Sequence, residues 1–391
     1  MDGIDTSAPR RLIALSAAEP SGGVVSKSNI ELLSSFNWIE SRDGVPAIAV
    51  PGHPPKWTPK LSSIRLPSDK ERFLQLEPVP RHPHAFEPLL KSLSICRSDF
   101  DLSQVNIVTQ LRNLREIFRF VRGRGQDAFR INVQLLGTTL FLDRFGNDIE
   151  IANGTQSYDS CGHVFQEHAT SYCANLNEMH ANSYHRVVKY DFLGLHIVVQ
   201  HEVDTYCCSC HTSHSQDEGL LCYKGIYDVA PHPSHIESAV SLRVIQHGSL
   251  NHLLDSQCIA EIKTRKVGKP RLNNKDWIFS QLWFSNTHSM LFGKHEDRIF
   301  MEITVAPEDM SRDLQQWQEK RKDSIEAVAN ILKNLAQEIL WYRELEWKTS
   351  SKFALIRWSQ DGKGCLRLCR LQDDYSWNVL PPSEQGLAVD A

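Results

Sequence analysis

The chain has 391 residues, 41% of them hydrophobic and 23% charged, which is enough for a sizeable core and excludes a disordered polypeptide. Its formal net charge of −4 excludes a broadly basic nucleic-acid or membrane binder, so any basic groove must be local. Met1 to Gly22 is small and polar without a basic-then-apolar run, and no stretch reaches the ~18–20 apolar residues of a membrane span, so an intracellular protein, nuclear or cytoplasmic, is expected. The 10 cysteines are then read as reduced thiols.

In chain order, residues 1–35 read as a flexible N-terminus and the Pro-rich stretch 45–60 as an arm or linker. Val108, Leu111, Leu114, Ile117 and Val121 recur at helical spacing, which predicts an amphipathic helix over 105–121. FRINVQLLGTTLFLD predicts two strands broken near Gly137. Tyr184 to Tyr206 gives the clearest strand signal, with a hairpin at Leu193-Gly194. Residues 207–235 read as an irregular Cys/His-rich insert. Strands are predicted over 239–246, 259–264 and 299–305, and a helix over 274–284. Between Leu314 and Tyr342, apolar residues step by three or four along one face of a long helix, interrupted only by Arg321. FALIRW and GCLRLCRL predict a closing hairpin, and 381–391 a disordered tail. The mixed order predicts a single α+β domain over 36–380, with a mixed central β-sheet flanked by helices.

Side chains on a strand alternate between faces. In HIVVQHEVD, Glu202 and Asp204 share one face; in CIAEIKT, Glu261 and Lys263 do, while Ile262 points to the core. Carboxylates brought close repel unless protons or a cation intervene. A Mg²⁺ or Mn²⁺ ion takes hard oxygen ligands from a few carboxylates and polarises a phosphoryl oxygen. Lys263 would position the attacking water or offset charge on the pentacovalent phosphate. Either pair alone is also what a solvent-facing strand carries; their combination points to a metal-dependent phosphodiester site.

Five segments, in order, resemble the DXO family of RNA 5′-end decapping nucleases, in particular its divergent fungal relatives. NIVTQLRNLREIF followed by INVQLLGTTLFLDR resembles the family's Arg-bearing helix and G-T-x-F strand. CGHVFQEHAT resembles its G-x-x-F-E segment, QHEVDTY its E-x-D motif, AEIKT its E-x-K motif, and QLWFSNTHSMLFGKH its Gln-bearing helix and following strand. The resemblance implies a PD-(D/E)xK nuclease-like fold and metal-dependent hydrolysis at RNA 5′ ends: decapping, pyrophosphate release or 5′-3′ trimming. Carried over by position, Asp204 and Glu261 hold the cation, Glu202 ligates it directly or through water, and Lys263 and Gln281 position nucleophile and phosphate. The implied partner is an RNA 5′ end, and a larger exonuclease stays open as a second.

Two positions depart from the pattern. The family's third acid falls at Gln166, with Glu167 one step along; on a strand that step points to the opposite face. Gln166 offers a carbonyl oxygen but no charge. The expected Arg falls at Leu111, with Arg112 beside it, a turn of about 100° on a helix. A catalytically weakened relative that binds RNA or a protein partner through the same groove is therefore the alternative reading.

His163 is a candidate to line the pocket. Among nearby basic residues, Arg112, Arg115 and Arg119, and the segment TRKVGKPR beginning at Thr264 with Arg265, are candidate phosphate contacts. Cys207, Cys210, His214 and Cys222 are candidate ligands of a structural Zn²⁺, although their spacing fits no standard finger and incidental thiols are the plainer reading. No GxxxxGK[ST], GxGxxG or GxSxG pattern occurs, which removes P-loop, dinucleotide and serine-hydrolase readings.

Overall fold

The computed structural model describes residues 2–7, 11–14, 25–40, 45–73, 82–123, 128–146, 160–207, 227–228, 242–247, 253–269, 272, 275–345, 351–358, 365–382 and 385. The strands, in chain order, begin with β1 (Arg11–Ala14), β2 (Lys27–Ile39), β3 (Ala47–Val50), β4 (Lys56–Trp57), β5 (Ile64–Arg65), β6 (Ile107–Gln110), β7 (Phe129–Leu136) and β8 (Thr139–Arg144). They continue with β9 (Thr170–Ser171), β10 (Ala181–Phe192), β11 (Leu195–Glu202), β12 (Thr205–Tyr206), β13 (Tyr227–Asp228) and β14 (Arg243–Gln246). The last are β15 (Ile259–Lys266), β16 (Ser289–Glu296), β17 (Ile299–Ile303), β18 (Glu308–Asp309), β19 (Lys352–Arg357) and β20 (Cys365–Arg370). The α-helices are α1 (Asp69–Phe73), α2 (Glu87–Cys96), α3 (Leu111–Val121), α4 (Gly162–Ala169), α5 (Ala174–Glu178), α6 (Lys275–Ser285) and α7 (Ser311–Leu345).

A twelve-stranded sheet runs β1-β20-β19-β7-β8-β6-β11-β10-β2-β3-β14-β13, and a smaller one β5-β17-β16-β15-β12-β4-β9, with β18 paired to β16. Both mix parallel and antiparallel pairs, as in β11 with β6 and β15 with β16 (parallel) and β10 with β11 (antiparallel). One face of the large sheet buries Val188, Tyr190, Ile197 and Val199 against α3, α6 and α7; the other buries Val187 and Val198 with α2. Along α7, Ile325, Val328, Leu332, Leu335 and Ile339 are fully buried, and five such side chains contribute roughly 10 kcal/mol before ordering costs. This is the α+β, helix-flanked architecture that the mixed element order predicts. Among the described residues, no helix is long and apolar enough to cross a membrane.

The hairpin at Leu193-Gly194 forms as expected, with φ of +50° and +84° at the two turn residues, the left-handed pair of a tight two-residue turn. Three expectations are corrected. Residues 27–35 are not loose: they belong to β2, inside the large sheet. Polar residues of β2 hide the strand pattern, and three of them are buried and bonded: Ser34 Oγ to Ser92 Oγ at 2.9 Å, Ser35 Oγ to the Gly52 carbonyl at 3.1 Å, Asn37 Nδ2 to the His53 carbonyl at 3.0 Å. The 45–60 stretch is not a linker, because it supplies β3 and β4, and β4 lies between β12 and β9. The first part of the helix expected over 105–121 is β6, and helix begins at Leu111. Most of the 207–235 insert, and most of the 381–391 tail, lie outside the described residues.

Candidate functional site

Strand β11 ends at Glu202 in the large sheet, and β12 begins at Thr205 in the smaller one. Asp204 lies in the short crossing between them. β12 pairs antiparallel with β15, Thr205 opposite Ala260, so the next step along this register sets Asp204 opposite Glu261. The Ile262 amide donates to Asp204 Oδ2 at 2.7 Å and fixes that carboxyl against β15. Ile262 itself is buried in an apolar cluster with Phe165, Leu291 and Phe300, so strand alternation turns Glu261 and Lys263 to the other face, as expected.

Glu261 is 6% exposed and is held by two donors: Lys263 Nζ and Gln281 Nε2 both hydrogen-bond its Oε1. Gln281 projects from α6, whose N-terminus is anchored at Asp276. That carboxylate accepts from Arg321 Nε at 2.7 Å and Trp317 Nε1 at 3.0 Å, with Arg122 Nε at 3.5 Å. Thus the anchored helix, the core strand and the sheet crossing together position Gln281, Glu261, Lys263 and Asp204.

The third acid of the family pattern sits on a helix, not a strand. GHVFQEHA has no side-chain cap of its own; Asp69 of α1 caps it instead. Asp69 Oδ2 accepts from the Gly162 amide at 2.9 Å and Oδ1 from the Val164 amide at 3.0 Å, which satisfies α4's first donors with a carboxylate. Phe165 then locks α4 onto the smaller sheet. Its ring stacks on Phe300 at 4.3 Å and lies where a Cβ on Gly293 would fall, 2.4 Å from the ring, so only glycine fits there. Gln166 consequently points toward the crossing and donates weakly to the Asp204 carbonyl at 3.5 Å, while Glu167 is exposed.

Burial, and next the Glu261 carboxylate, push Asp204 well above the ordinary carboxylate range. Lys263 and the Ile262 amide pull it back only partly, and Glu202 adds a smaller push. Glu202 is therefore in electrostatic reach, but it is exposed at the rim and shares no strand with Asp204.

A basic residue completes the wall. Leu111 is buried in the core, and Arg115, one turn further along the same face of α3, lies in electrostatic range of Glu261. Its guanidinium lies 3.5 Å from the centre of the Trp277 ring on α6, and Nη2 donates to the Trp277 carbonyl at 3.3 Å. Nε is buried without a partner. Burial lowers the guanidinium to about 10, Glu261 opposing this, so it stays a cation at neutral pH. The sequence named Arg115 only as one of several basic residues near the groove; the i, i+4 relation to Leu111 was the signal that could have singled it out. Arg112 is half-buried and lies in electrostatic range of Arg115.

Arg265 continues the Glu261–Lys263 face of β15, its guanidinium 5.3 Å from the Phe292 ring centre. His163 is exposed on the first turn of α4. Of the candidate zinc ligands, Cys210, His214 and Cys222 lie outside the described residues. Cys207 is a half-buried free thiol, raised by burial.

The donor set fits a hard divalent cation. Among the described residues, neither Asp204 Oδ1 nor Glu261 Oε2 accepts a hydrogen bond, so the sheet crossing and β15 each present a carboxylate oxygen without a proton donor. Among the described residues no group of three or more His, Cys, Asp or Glu side chains could hold a metal ion, and beside Asp204 stands the amide of Gln166.

A family model described as a domain of unknown function (DUF8563) matches residues 11–345. No curated protein sequence matches the chain. Among solved structures, Candida albicans Rai1 in complex with pU5 and Mn²⁺ is 13% identical, with 97% of this chain and 99% of that one covered and a TM-score of 0.57. Scheffersomyces stipitis Rai1 in complex with (3′-NADP)⁺ and calcium is 12% identical over 99% of both chains, TM-score 0.55. Dxo1 of K. lactis in complex with manganese is 9% identical over 95% of this chain and 100% of that one, TM-score 0.54. The resemblance to the DXO family thus holds for the fold across nearly the whole chain.

Proposed function

We propose, for a chain that belongs to the DUF8563 family, the function of a divalent-metal-dependent phosphoester hydrolase acting on RNA 5′ ends. The observation that carries this reading is the convergence of Asp204, Glu261, Lys263 and Gln281 at the crossing between the two sheets. The fold supports it, since Rai1 of that fold is seen with pU5 and Mn²⁺.

Asp204 and Glu261 would hold the ion, Gln166 would add its amide oxygen, and Glu202 would act from the rim. A bound Mg²⁺ or Mn²⁺ would neutralise phosphate charge and lower the pKa of the attacking water. Lys263, kept beside Glu261, faces the scissile phosphate and offsets charge as it builds. Gln281 fixes the Glu261 carboxylate and orients the nucleophile from α6. Arg115 holds a phosphate oxygen on the Glu261 side, and Arg265 and Arg112 extend the positive wall along the RNA backbone. Decapping, pyrophosphate release and 5′-3′ trimming all use this same attack on phosphorus.

The test is product release from 5′-triphosphate RNA and from noncanonically capped RNA with Mn²⁺ or Mg²⁺. Wild type should turn over at least one substrate, and Glu261→Gln should not. Metal-dependent RNA retention with no turnover on any of them would replace this reading by that of a non-catalytic binder. The neutral Gln166 at the third acid position is the observation that favours that second reading.

A further inference from the structure

The charges around the site do not balance for a pair of metal ions. Two-metal phosphoryl-transfer sites hold their ions about 3.5–4 Å apart, and dications that close need several carboxylates around and between them. Here the acids that meet at the crossing are the half-buried Asp204 and the buried Glu261. Glu202 is exposed to solvent, and the third acid position carries the uncharged Gln166, pinned by α4. Lys263 beside Glu261 Oε1 further lowers the net negative charge that an ion would meet. One divalent ion matches what remains.

A second fixed cation already stands on the Glu261 side. Arg115 is 9% exposed, stacked on Trp277 at 3.5 Å and anchored by one hydrogen bond to the Trp277 carbonyl at 3.3 Å. Its Nε has no partner. A guanidinium clamped flat by an aromatic ring holds its outer N–H edge in a fixed direction, an arrangement suited to receive an oxyanion. Asp276, tied to Arg321, Trp317 and Arg122, holds the start of the helix that carries Trp277. The guanidinium is therefore positioned by the scaffold, not by a mobile surface side chain.

Resting on the function proposed above, we infer that this site takes one divalent cation and that Arg115 supplies the second positive charge on the phosphate, the part a second ion plays in two-metal sites.

The deciding measurement is the number of Mn²⁺ ions bound per full-length wild-type chain, read from the free-Mn²⁺ electron paramagnetic resonance signal. One ion is expected. Two ions overturn the inference while leaving the hydrolase reading intact; no ion, together with no turnover, overturns both. The second measurement uses Arg115→Met and Arg115→Lys with a 5′-phosphorylated phosphorothioate oligouridine as probe, followed by fluorescence anisotropy. Arg115→Met should weaken RNA binding about tenfold or more at an unchanged Mn²⁺ count, with partial recovery in Arg115→Lys. A folded Arg115→Met that binds the probe as wild type does overturns the role of the guanidinium. Should Arg115→Met not fold, the wild-type ion count still decides the inference.

Discussion

Asp276 and Asp204 are served in opposite ways by their surroundings. Asp276 starts α6 and receives its counter-charge from the chain itself: Arg321, Arg122 and the Trp317 indole surround it. Burial alone would raise its carboxyl, but the Arg321 and Trp317 hydrogen bonds and the two guanidinium charges outweigh that and hold it below the ordinary range. Asp204 receives one backbone amide, faces another carboxylate, and ends well above that range. A carboxylate that serves architecture is satisfied within the chain. One that the chain leaves short of positive charge is set up to take it from outside.

The largest way to test this contrast is through activity. Asp204→Asn and Glu261→Gln should each lower metal-dependent release from 5′-triphosphate or capped RNA by on the order of 10²–10³-fold or more, the scale of losing one preorganised electrostatic group. Asp276→Asn should act through stability instead. It removes the counter-charge of two half-buried guanidinium groups and should cost about 2 kcal/mol in a denaturant titration. If Asp276→Asn leaves the denaturation midpoint unchanged, the assignment of Asp276 as the architectural member is wrong.

Smaller effects sharpen the same comparison. In metal-free protein, Asp204→Asn removes a disfavoured charge and should leave the melting temperature unchanged or raise it by roughly 2 °C. A fall as large as that of Asp276→Asn would show that Asp204 is already satisfied by the chain. Gln166→Glu, read by Mn²⁺ titration, should tighten metal binding, since it adds a charge beside Asp204. The acid limb of the stability curve distinguishes the two aspartates a third way. Because the folded value of Asp276 is lowered, its contribution is complete above the unfolded value of about 3.9 and is lost as pH falls through the folded one. Asp276→Asn should therefore flatten the loss of stability below about pH 4, measured by denaturation at a series of pH values.

What could be read from sequence were features whose cause is local. Alternation alone sends Glu261 and Lys263 to one face; a Leu-Gly pair between strand runs gives the β10–β11 hairpin; apolar spacing reveals α7 despite Arg321, whose charge reaches Asp276. What escaped was caused from a distance. GHVFQEHA becomes a helix because Asp69 caps it from far upstream in the chain. β2 looks too polar for a core strand because Ser34, Ser35 and Asn37 find partners on other segments. Arg115 joins the site only because α6 brings Trp277 beneath it. The pairing of Asp204 with Glu261 depends on a chain that changes sheets within two residues, which no periodicity announces.

The anchoring of α4 has an evolutionary side. Its position is set by Asp69 at its start and by Phe165 against Gly293, and residue 166 takes no part in either. Glutamine and glutamate codons differ by a single base. A lineage can therefore gain or lose the third acid in one mutational step without rebuilding the helix that carries it. A change of charge at residue 166 thus alters the electrostatics beside Asp204 while the helix that carries it stays in place.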